Sequence, residues 1–288
     1  MATKLAFLIL LFIMGNSCQT GARKTDLQPE QVTTTSEDRV ILEKLLKRFS
    51  TEEMSVPTLT ASIGKAFLGT RYVAYTLENG KDEQLVVNLR EMDCTTFVEN
   101  CLALAISLKS GEGDFATFAR NLEKIRYRDG KRNGYCSRLH YFSDWIYDNR
   151  EKGLVTEPVT NFGSPFDGMV NFMSTHPDNY PVLKENPELV PLIAQQETVI
   201  SARKQVFLKK EQVKLFEDKL LEGDLVGLTS RINGLDISHT GILVRMNGRI
   251  HLLHASSSLE KVVISEEPLA ELLMSRKSYT GILVARPK

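Results

Sequence analysis

The strongest constraint on the fold lies in the last third of the chain, where short β-rich runs follow one another at close spacing. Asn247-Gly248 separates two of these runs and is a typical two-residue hairpin turn. Parallel pairing would need a crossover of a dozen or more residues between runs, so the spacing predicts an antiparallel meander. The predicted strands are 224–229, 239–245, 249–256, 261–265 and 280–285.

The hairpin also predicts which side chains share a face. With a two-residue turn at Asn247-Gly248, His239 and His254 become diagonal neighbours on one face, about 7–8 Å or less apart between backbones and within side-chain reach. His251 lies an odd number of residues from His254 and therefore points to the other face. A bulge in either strand would change this pairing.

Helical periodicity dominates the chain before these strands. Ser36-Glu37-Asp38 is predicted to cap one amphipathic helix, and Ser137 to cap an aromatic-rich helix that reaches Tyr147. Asp93 is predicted as the N-cap of a helix whose apolar positions include Phe97 and Leu102. Further helices are predicted near 58–68 and 115–125. Helices first and a sheet afterwards predict an α+β domain.

Cys94 directly follows the predicted cap Asp93 and so falls in the first turn of its helix. The pKa of a thiol is lowered at a helix N-terminus and beside an imidazolium, and the thiolate is the nucleophilic form. We therefore predict Cys94 as a nucleophile, His239 as its base and His254 as the residue that orients His239. The alternatives are a buried structural sulfur and structural histidines.

The other cysteines give no disulfide pattern. Cys94 and Cys101 stand on one predicted helix, roughly 10 Å apart along its axis, which is more than a disulfide spans. Cys101 falls on the apolar face and is predicted to be core. Cys136 stays unassigned.

The N-terminus has the pattern of an export signal. Lys4 precedes an apolar run from Leu5 to Met14, which is too short to span a bilayer. Cys18 follows, as in a bacterial lipoprotein signal, and would carry a lipid; plain secretion is the alternative. We predict a signal segment at 1–18, a flexible tether at 19–36 and one catalytic domain at 37–288, with a helical or irregular insertion at about 126–220. The predicted location is the periplasm.

Composition argues against several other classes of protein. Acidic and basic residues number 36 each, so no global charge favours nucleic acid. No His-Glu-x-x-His segment indicates a zinc hydrolase, and no glycine-rich phosphate loop is present. The sequence therefore predicts no cofactor, no metal and no nucleic-acid partner.

These motifs resemble the NlpC-type cell-wall cysteine peptidases, a papain-like superfamily. The superfamily's Asp-Cys-Ser-Gly-Phe-Val segment is matched by residues 93–98, its His-Val-Gly-Ile by 239–242, and its third polar residue before Ala-Ser by His254. The chain is still more similar to a bacterial N-acetylmuramoyl-L-alanine-amidase-like family, whose motifs match at 67–70, 92–99, 137–140 and 234–241. This similarity runs from about residue 57 to residue 287.

The resemblance implies a papain-like α+β fold in which the nucleophile helix packs on the C-terminal meander. It implies a hydrolase for an amide of peptidoglycan, either the lactyl–L-alanine bond or a stem-peptide bond such as D-glutamyl–diamino acid. Peptidoglycan or its muropeptide fragments would be the partner, beside a membrane reached through the lipid anchor. A catalytically idle wall-binding lipoprotein and an acyltransferase on the same fold remain alternatives.

The resemblance also suggests substrate-binding residues. Tyr72 would line the site, and Arg138 and His140 would contact a carboxylate-bearing peptide or else stabilise a helix. Asp93 and Ser256 complete the predicted set. Thr95-Thr96 replaces the Ser-Gly of the wider superfamily, and the stretch between Cys94 and His239 is much longer than a minimal domain needs. Specificity is therefore not carried over from smaller relatives.

Overall fold

The structure is a computed structural model and describes residues 32–49, 53–78 and 82–288. The described helices, beside short 3₁₀ turns, are α1 Ser36–Phe49, α2 Val56–Ala66, α3 Cys94–Lys109, α4 Phe115–Arg126, α5 Phe142–Glu151, α6 Phe172–Thr175, α7 Pro181–Glu185, α8 Val190–Ser201, α9 Lys210–Val213 and α10 Leu269–Ser275. The strands are β1 Val32–Thr33, β2 Arg71–Tyr72, β3 Leu85–Val86, β4 Glu91–Met92, β5 Val155–Thr156, β6 Ser164–Pro165, β7 Val206–Lys209, β8 Leu225–Ser230, β9 Ile237–Met246, β10 Arg249–Ser256, β11 Lys261–Ile264 and β12 Tyr279–Pro287.

A curled sheet carries the predicted meander and confirms the α+β class. The strand order is β4-β2-β11-β10-β9-β8-β12-β7-β6, with β5 on β12. β8 to β11 pair antiparallel in sequence order, and β12 returns to the free side of β8. The predicted hairpin register is confirmed from Met246 opposite Arg249 to Ile242 opposite Leu253. On the other side of β9, a register shift at Ser238 separates its pairing with β8 into two parts.

The central strands are buried on both faces because side chains alternate across the sheet. Ile242 and Leu253 pack in the larger core, under α1 to α5. Leu243 and Leu252 point the other way, into a second core that residues of α9 and α10 complete. A third, smaller cluster lies beneath α6 to α8. Two-sided burial fixes the position of β9, and hence of the polar residues at its beginning.

Two predicted helix starts differ from the structure. The cap of α1 is Thr35, whose hydroxyl accepts the Asp38 N–H at 3.2 Å, rather than the Ser36-Glu37-Asp38 segment itself. Ser137 lies in a 3₁₀ turn, and α5 begins only at Phe142. Its first turn is held from far away in sequence, because the Ser143 N–H donates to the Asp236 carboxylate at 2.8 Å. Local spacing could not reveal a cap supplied by another segment.

The segments at the predicted boundaries are built into the fold where the structure describes them. Val32–Thr33, at the end of the predicted tether, pairs with Leu85–Val86. Within the predicted insertion, α5 packs in the main core and β7 joins the sheet beside β12. Only the stretch around α6 to α8 has its own apolar cluster. In the described ranges, no helix is long and apolar enough to cross a membrane.

Candidate active site

The beginning of α3 is fixed by a reciprocal cap. Asp93 is the N-cap, as predicted: its carboxylate accepts the Thr96 N–H at 2.8 Å, and its own N–H donates to the Thr96 hydroxyl at 3.0 Å. Cys94 is therefore the first residue of the helix, where backbone N–H groups and the helix dipole face outward. The Asp93 carboxylate is occupied in this cap, which favours a structural role over substrate binding.

His239 and His254 meet across the β9–β10 hairpin, as the predicted register requires. His239 Nε2 and His254 Nδ1 lie 2.6 Å apart, within hydrogen-bond distance. The rings are nearly perpendicular, at 86° and 4.7 Å between centroids. His251 points to the other face, where its Nδ1 lies 2.9 Å from the Ser265 carbonyl oxygen. The hydrogen bond between the two rings leaves Nδ1 of His239 as the nitrogen not engaged by His254.

A cavity of about 160 Å³ joins the helix terminus to the beginning of β9. Cys94 and His239 both line it, so folding brings the two predicted catalytic residues to one site. The rest of its wall is formed by equal numbers of apolar and polar residues. These residues are Thr95, Val98, Glu99, Leu139, His140, Phe142, Trp145, Leu235, Asp236, Ile237, Ser238 and Thr240. A small concave site with convergent polar groups is the usual form of a substrate pocket.

The thiol of Cys94 does not have the lowered pKa that the sequence predicted. Burial, and after it the charge of Asp93, raise the pKa of Cys94 to about 12. Hydrogen bonds from the backbone N–H of Thr240 and the hydroxyl of Thr95 lower the pKa of Cys94, but by less than burial raises it. Removal from water outweighs the helix dipole here.

Both histidines are held neutral for the same reason. Burial, and then the neighbouring His254, lower the pKa of His239 to about 3, and burial lowers the pKa of His254 to about 4. The resting site thus contains a protonated thiol and neutral imidazoles. With His254 accepting, the Nε2–H tautomer of His239 is favoured, and Nδ1 becomes the available base.

Two tyrosines lie near the sulfur. Burial and then Cys94 raise the pKa of Tyr72 to about 12, and Cys94 also contributes to the raised pKa of Tyr279 after burial. Tyr72 stands on β2 beside Met92, two residues before Cys94, and also packs against the main core. Tyr72 is not among the residues that line the cavity, so the structure favours the half-buried strand aromatic of the two alternatives.

Arg138 is bound by the protein's own carboxylates. Its guanidinium donates to Glu83 from Nε at 3.0 Å and from Nη2 at 2.7 Å, and to Glu78 from Nη1 at 2.6 Å. It is 8% exposed. A buried, forked ion pair of this kind fixes two chain segments together, so the geometry favours the structural alternative for Arg138 over a contact to substrate.

The side chains of His140 and Ser256 lie in different surroundings. His140 lines the cavity with Nε2 2.9 Å from the Tyr135 carbonyl oxygen, and burial followed by Arg138 lowers its pKa to about 3. It therefore remains a neutral polar group in the wall. Ser256 is 3% exposed, and its hydroxyl accepts the Leu259 N–H at 3.2 Å in the turn after β10. That contact ties Ser256 to the turn.

Sequence reasoning missed part of the cavity wall. Phe142 and Trp145, stacked at 5.5 Å between ring centroids, line the cavity together with Asp236. The aromatic-rich segment was a usable signal for Phe142 and Trp145. Nothing local indicated Asp236, because its role depends on the distant Ser143 N–H.

No metal site is found in the part of the chain that the structure describes: His, Cys, Asp and Glu are nowhere grouped in threes suited to an ion. Cys94, Cys101 and Cys136 are all free thiols. Cys101 is fully buried in the core, as predicted. The predicted lipid-bearing Cys18 lies outside the described residues.

Comparison with known proteins identifies a family and several similar structures. A family model described as N-acetylmuramoyl-L-alanine amidase-like matches residues 62–282. An N-acetylmuramoyl-L-alanine amidase from Bacteroides uniformis ATCC 8492 is 38% identical, with a TM-score of 0.77 over 81% of this chain and 99% of that one. A Bacteroides fragilis protein, provisionally named a xylanase, is 43% identical, with a TM-score of 0.74 over 78% and 99% of the two chains.

A more distant likeness concerns the fold alone. A Legionella pneumophila protein is 21% identical, with a TM-score of 0.64 over 88% of this chain and 93% of that one. No curated protein sequence shows significant similarity to the chain.

Proposed function

The chain belongs to the N-acetylmuramoyl-L-alanine amidase-like family, and on this premise we propose that it hydrolyses a peptidoglycan amide with Cys94 as nucleophile. The observation that carries the proposal is the single cavity to which Cys94 and His239 both contribute, with His254 hydrogen-bonded behind His239. We propose further that these residues form a Cys-His-His triad in a papain-like, NlpC-type arrangement.

The neutral resting site determines the first step. On substrate binding, Nδ1 of His239 takes the proton of the Cys94 thiol as the sulfur attacks the amide carbonyl carbon. N–H groups in the first turn of α3 stabilise the oxyanion. The C–N bond then breaks, the imidazolium returns its proton to the leaving amine, and a thioester remains. Water, deprotonated by His239, hydrolyses the thioester to a carboxylate and restores the thiol.

His254 supports this cycle without touching the substrate. In the Nε2–H tautomer of His239, the nitrogen 2.6 Å away, His254 Nδ1, is the acceptor. This hydrogen bond strengthens when His239 becomes an imidazolium, because charged donors bond more strongly than neutral ones. Catalysis gains from interactions that are stronger in the transition state than in the ground state. His254 is therefore a positioning residue for the base.

The family and its Bacteroides uniformis member favour one bond among the alternatives. We propose the amide between the lactyl group of N-acetylmuramic acid and L-alanine. Cleavage there separates glycan from intact stem peptide, whereas cleavage at D-glutamyl–diamino acid leaves L-alanyl-D-glutamate on the glycan. The masses of the fragments from defined muropeptides distinguish the two products.

The direct test replaces the sulfur. Cys94→Ala should abolish hydrolysis of purified muropeptides with an unchanged melting temperature, and Cys136→Ala, which removes a different free thiol, should retain it. Turnover by Cys94→Ala would contradict the mechanism. A wild-type protein that binds muropeptides but does not cleave them would support the idle wall-binding alternative, and transfer of the acyl group to an added amine would support the acyltransferase.

The provisional xylanase name of the Bacteroides fragilis protein does not suit this cavity. Glycoside hydrolysis uses a pair of carboxyl groups flanking the scissile bond. The carboxylates that line the cavity are engaged elsewhere: Glu99 pairs with Arg126 at 2.7 Å, and Asp236 accepts the Ser143 and Ile237 N–H groups. The thiol and the histidine pair are the reactive groups available.

Export and lipid anchoring remain proposals from the sequence alone. We propose that Cys18 is lipidated and holds the enzyme at a membrane facing the periplasm. Incorporation of labelled fatty acid into the wild-type protein, and its loss in Cys18→Ser, would support this. A secreted, unlabelled product would favour plain secretion.

A further inference from the structure

Tyr75 is an anomaly in the described chain. Its backbone has φ 60°, in the left-handed region that bulky residues rarely adopt, and its side chain is 62% exposed. Such a residue costs conformational free energy and buries little apolar surface in return. Strained conformations of this kind persist where the surrounding structure imposes them, and they concentrate at ligand sites.

The segment 73–78 that carries Tyr75 is fixed at both ends. The Val73 N–H donates to the Met92 carbonyl oxygen at 3.2 Å, two residues before Cys94. At the other end, Glu78 pairs with the buried Arg138 at 2.6 Å. The ring of Tyr75 is therefore presented by a short, anchored strap that begins next to the nucleophile.

The strap that carries Tyr75 begins beside the site, because Tyr72 pairs with Met92 and Val73 donates to it. The pKa of Tyr72, three residues earlier, is raised first by burial and then by Cys94, with a smaller contribution from Tyr75. Tyr75 also contributes, after burial and Glu197, to the raised pKa of Tyr180. Tyr180 packs in the small apolar cluster under α6 to α8. The strap thus runs from the segment just before Cys94 to Leu77 and Glu78, which line a surface pocket together with Val182 of the third cluster. Tyr75 lies between these two ends.

The size of the cavity limits which part of the substrate it can hold. Its volume is about 160 Å³, and a cavity of about 150 Å³ holds a molecule the size of benzene. An N-acetylated hexose is much larger. If the lactyl amide is to reach Cys94, the sugar attached to the lactyl group must lie outside, across the rim.

We propose that Tyr75 is a carbohydrate-stacking residue that packs its ring against the apolar C–H face of the substrate's sugar. The inference rests on the proposed function and adds a residue that selects for glycan-bearing substrate. An exposed aromatic ring has the right character, because it offers a rigid apolar face and a polar hydroxyl group at little cost in side-chain entropy.

The test uses three substitutions in the inactive Cys94→Ala background. Calorimetry would measure binding of a disaccharide muropeptide and of the matching lactyl-peptide without sugar. Tyr75→Ala and Tyr75→Gly should weaken the muropeptide about tenfold, an effect typical of a lost stacking partner, and leave the lactyl-peptide unchanged. Tyr75→Phe should bind both normally. Leu215→Ala, at a 73% exposed apolar residue of the remote surface, is the matched control.

A second readout tests the strain. Glycine adopts φ 60° without penalty, so Tyr75→Gly should melt a few degrees above Tyr75→Ala, although the two bind equally poorly. Unchanged muropeptide affinity in Tyr75→Ala, or equal weakening of both ligands, would overturn the carbohydrate assignment while leaving the hydrolase proposal intact. Failure of Cys94→Ala itself to bind either ligand would overturn the proposed function and this inference with it.

Discussion

Replacing His254 by phenylalanine removes the acceptor behind His239 while keeping a planar ring in a half-buried position. The bond it deletes joins His239 Nε2 and His254 Nδ1 at 2.6 Å. In the resting enzyme both rings are neutral, because burial lowers both pKa values. In the proposed mechanism His239 takes the proton of Cys94, and the same hydrogen bond then has a charged donor.

The expected magnitude follows from this change of charge. A hydrogen bond to a charged group contributes about 1.5–3 kcal/mol, against about 0.5–1.5 kcal/mol for a neutral one. The loss in kcat/KM reflects the difference between the two, about 1–1.5 kcal/mol. We therefore expect His254→Phe to lower kcat/KM about 5- to 13-fold. His254→Asn, which can restore an acceptor oxygen, should recover part of the loss. His239→Ala should lose far more, because the base itself is gone.

The assay is the initial rate of muropeptide hydrolysis, with folding checked by the melting temperature. His251→Gln is the matched control: His251 is a buried histidine on the same strand, but it points to the other face and contacts the Ser265 carbonyl oxygen. It should lose stability without losing kcat/KM for the folded protein. A loss below about twofold in His254→Phe, or an equal loss in His251→Gln, would refute the positioning role.

Four further predictions concern pH dependence and stability. Because burial and His254 lower the pKa of His239 to about 3, its neutral form persists on acidification, so kcat/KM should hold from pH 7 to pH 5; a decline centred near 6.5 would contradict this. In the unfolded chain His239 takes up its proton near pH 6.5, whereas in the folded protein it does so only near pH 3. The free energy of unfolding in urea should therefore fall as the pH drops from 6.5 towards 3, and less steeply in His239→Gln. Arg126→Met leaves the buried Glu99 charge unpaired and should cost about 3–5 kcal/mol in urea denaturation, where a cost below about 1 kcal/mol would show that Glu99 is otherwise compensated. Gly223→Ala should lower the melting temperature strongly, since φ is +89° and a Cβ would overlap the Pro57 carbonyl oxygen; an unchanged melting temperature would mean that this contact is easily relieved.

Rules based on neighbouring residues correctly predicted the structural features that neighbouring residues determine. The cap at Asp93 and the hairpin at Asn247-Gly248 both depend on neighbours within a few residues, and the structure has them as predicted. Alternation along β10 then separated His251 from His254. These outcomes follow from backbone geometry, which short segments carry in themselves.

The same rules failed where distant segments meet. The start of α5 depends on the Asp236 carboxylate, which lies far along the chain from Ser143. For Arg138 the sequence predicted a contact with substrate or a role in stabilising a helix. Its partners in the structure are Glu78 and Glu83. In each case the deciding group arrives only with folding, because side-chain partners across the sequence have no local signature.

By itself, the sequence determined the α+β class, the position of Cys94 at a helix start and the common face of His239 and His254. Only the tertiary structure decided that Cys94 and His239 line one cavity and that the thiol and imidazoles are neutral at rest. The physical reason is desolvation: the pKa of a buried group depends on how completely the fold removes water from it, and that burial comes from segments distant in the chain.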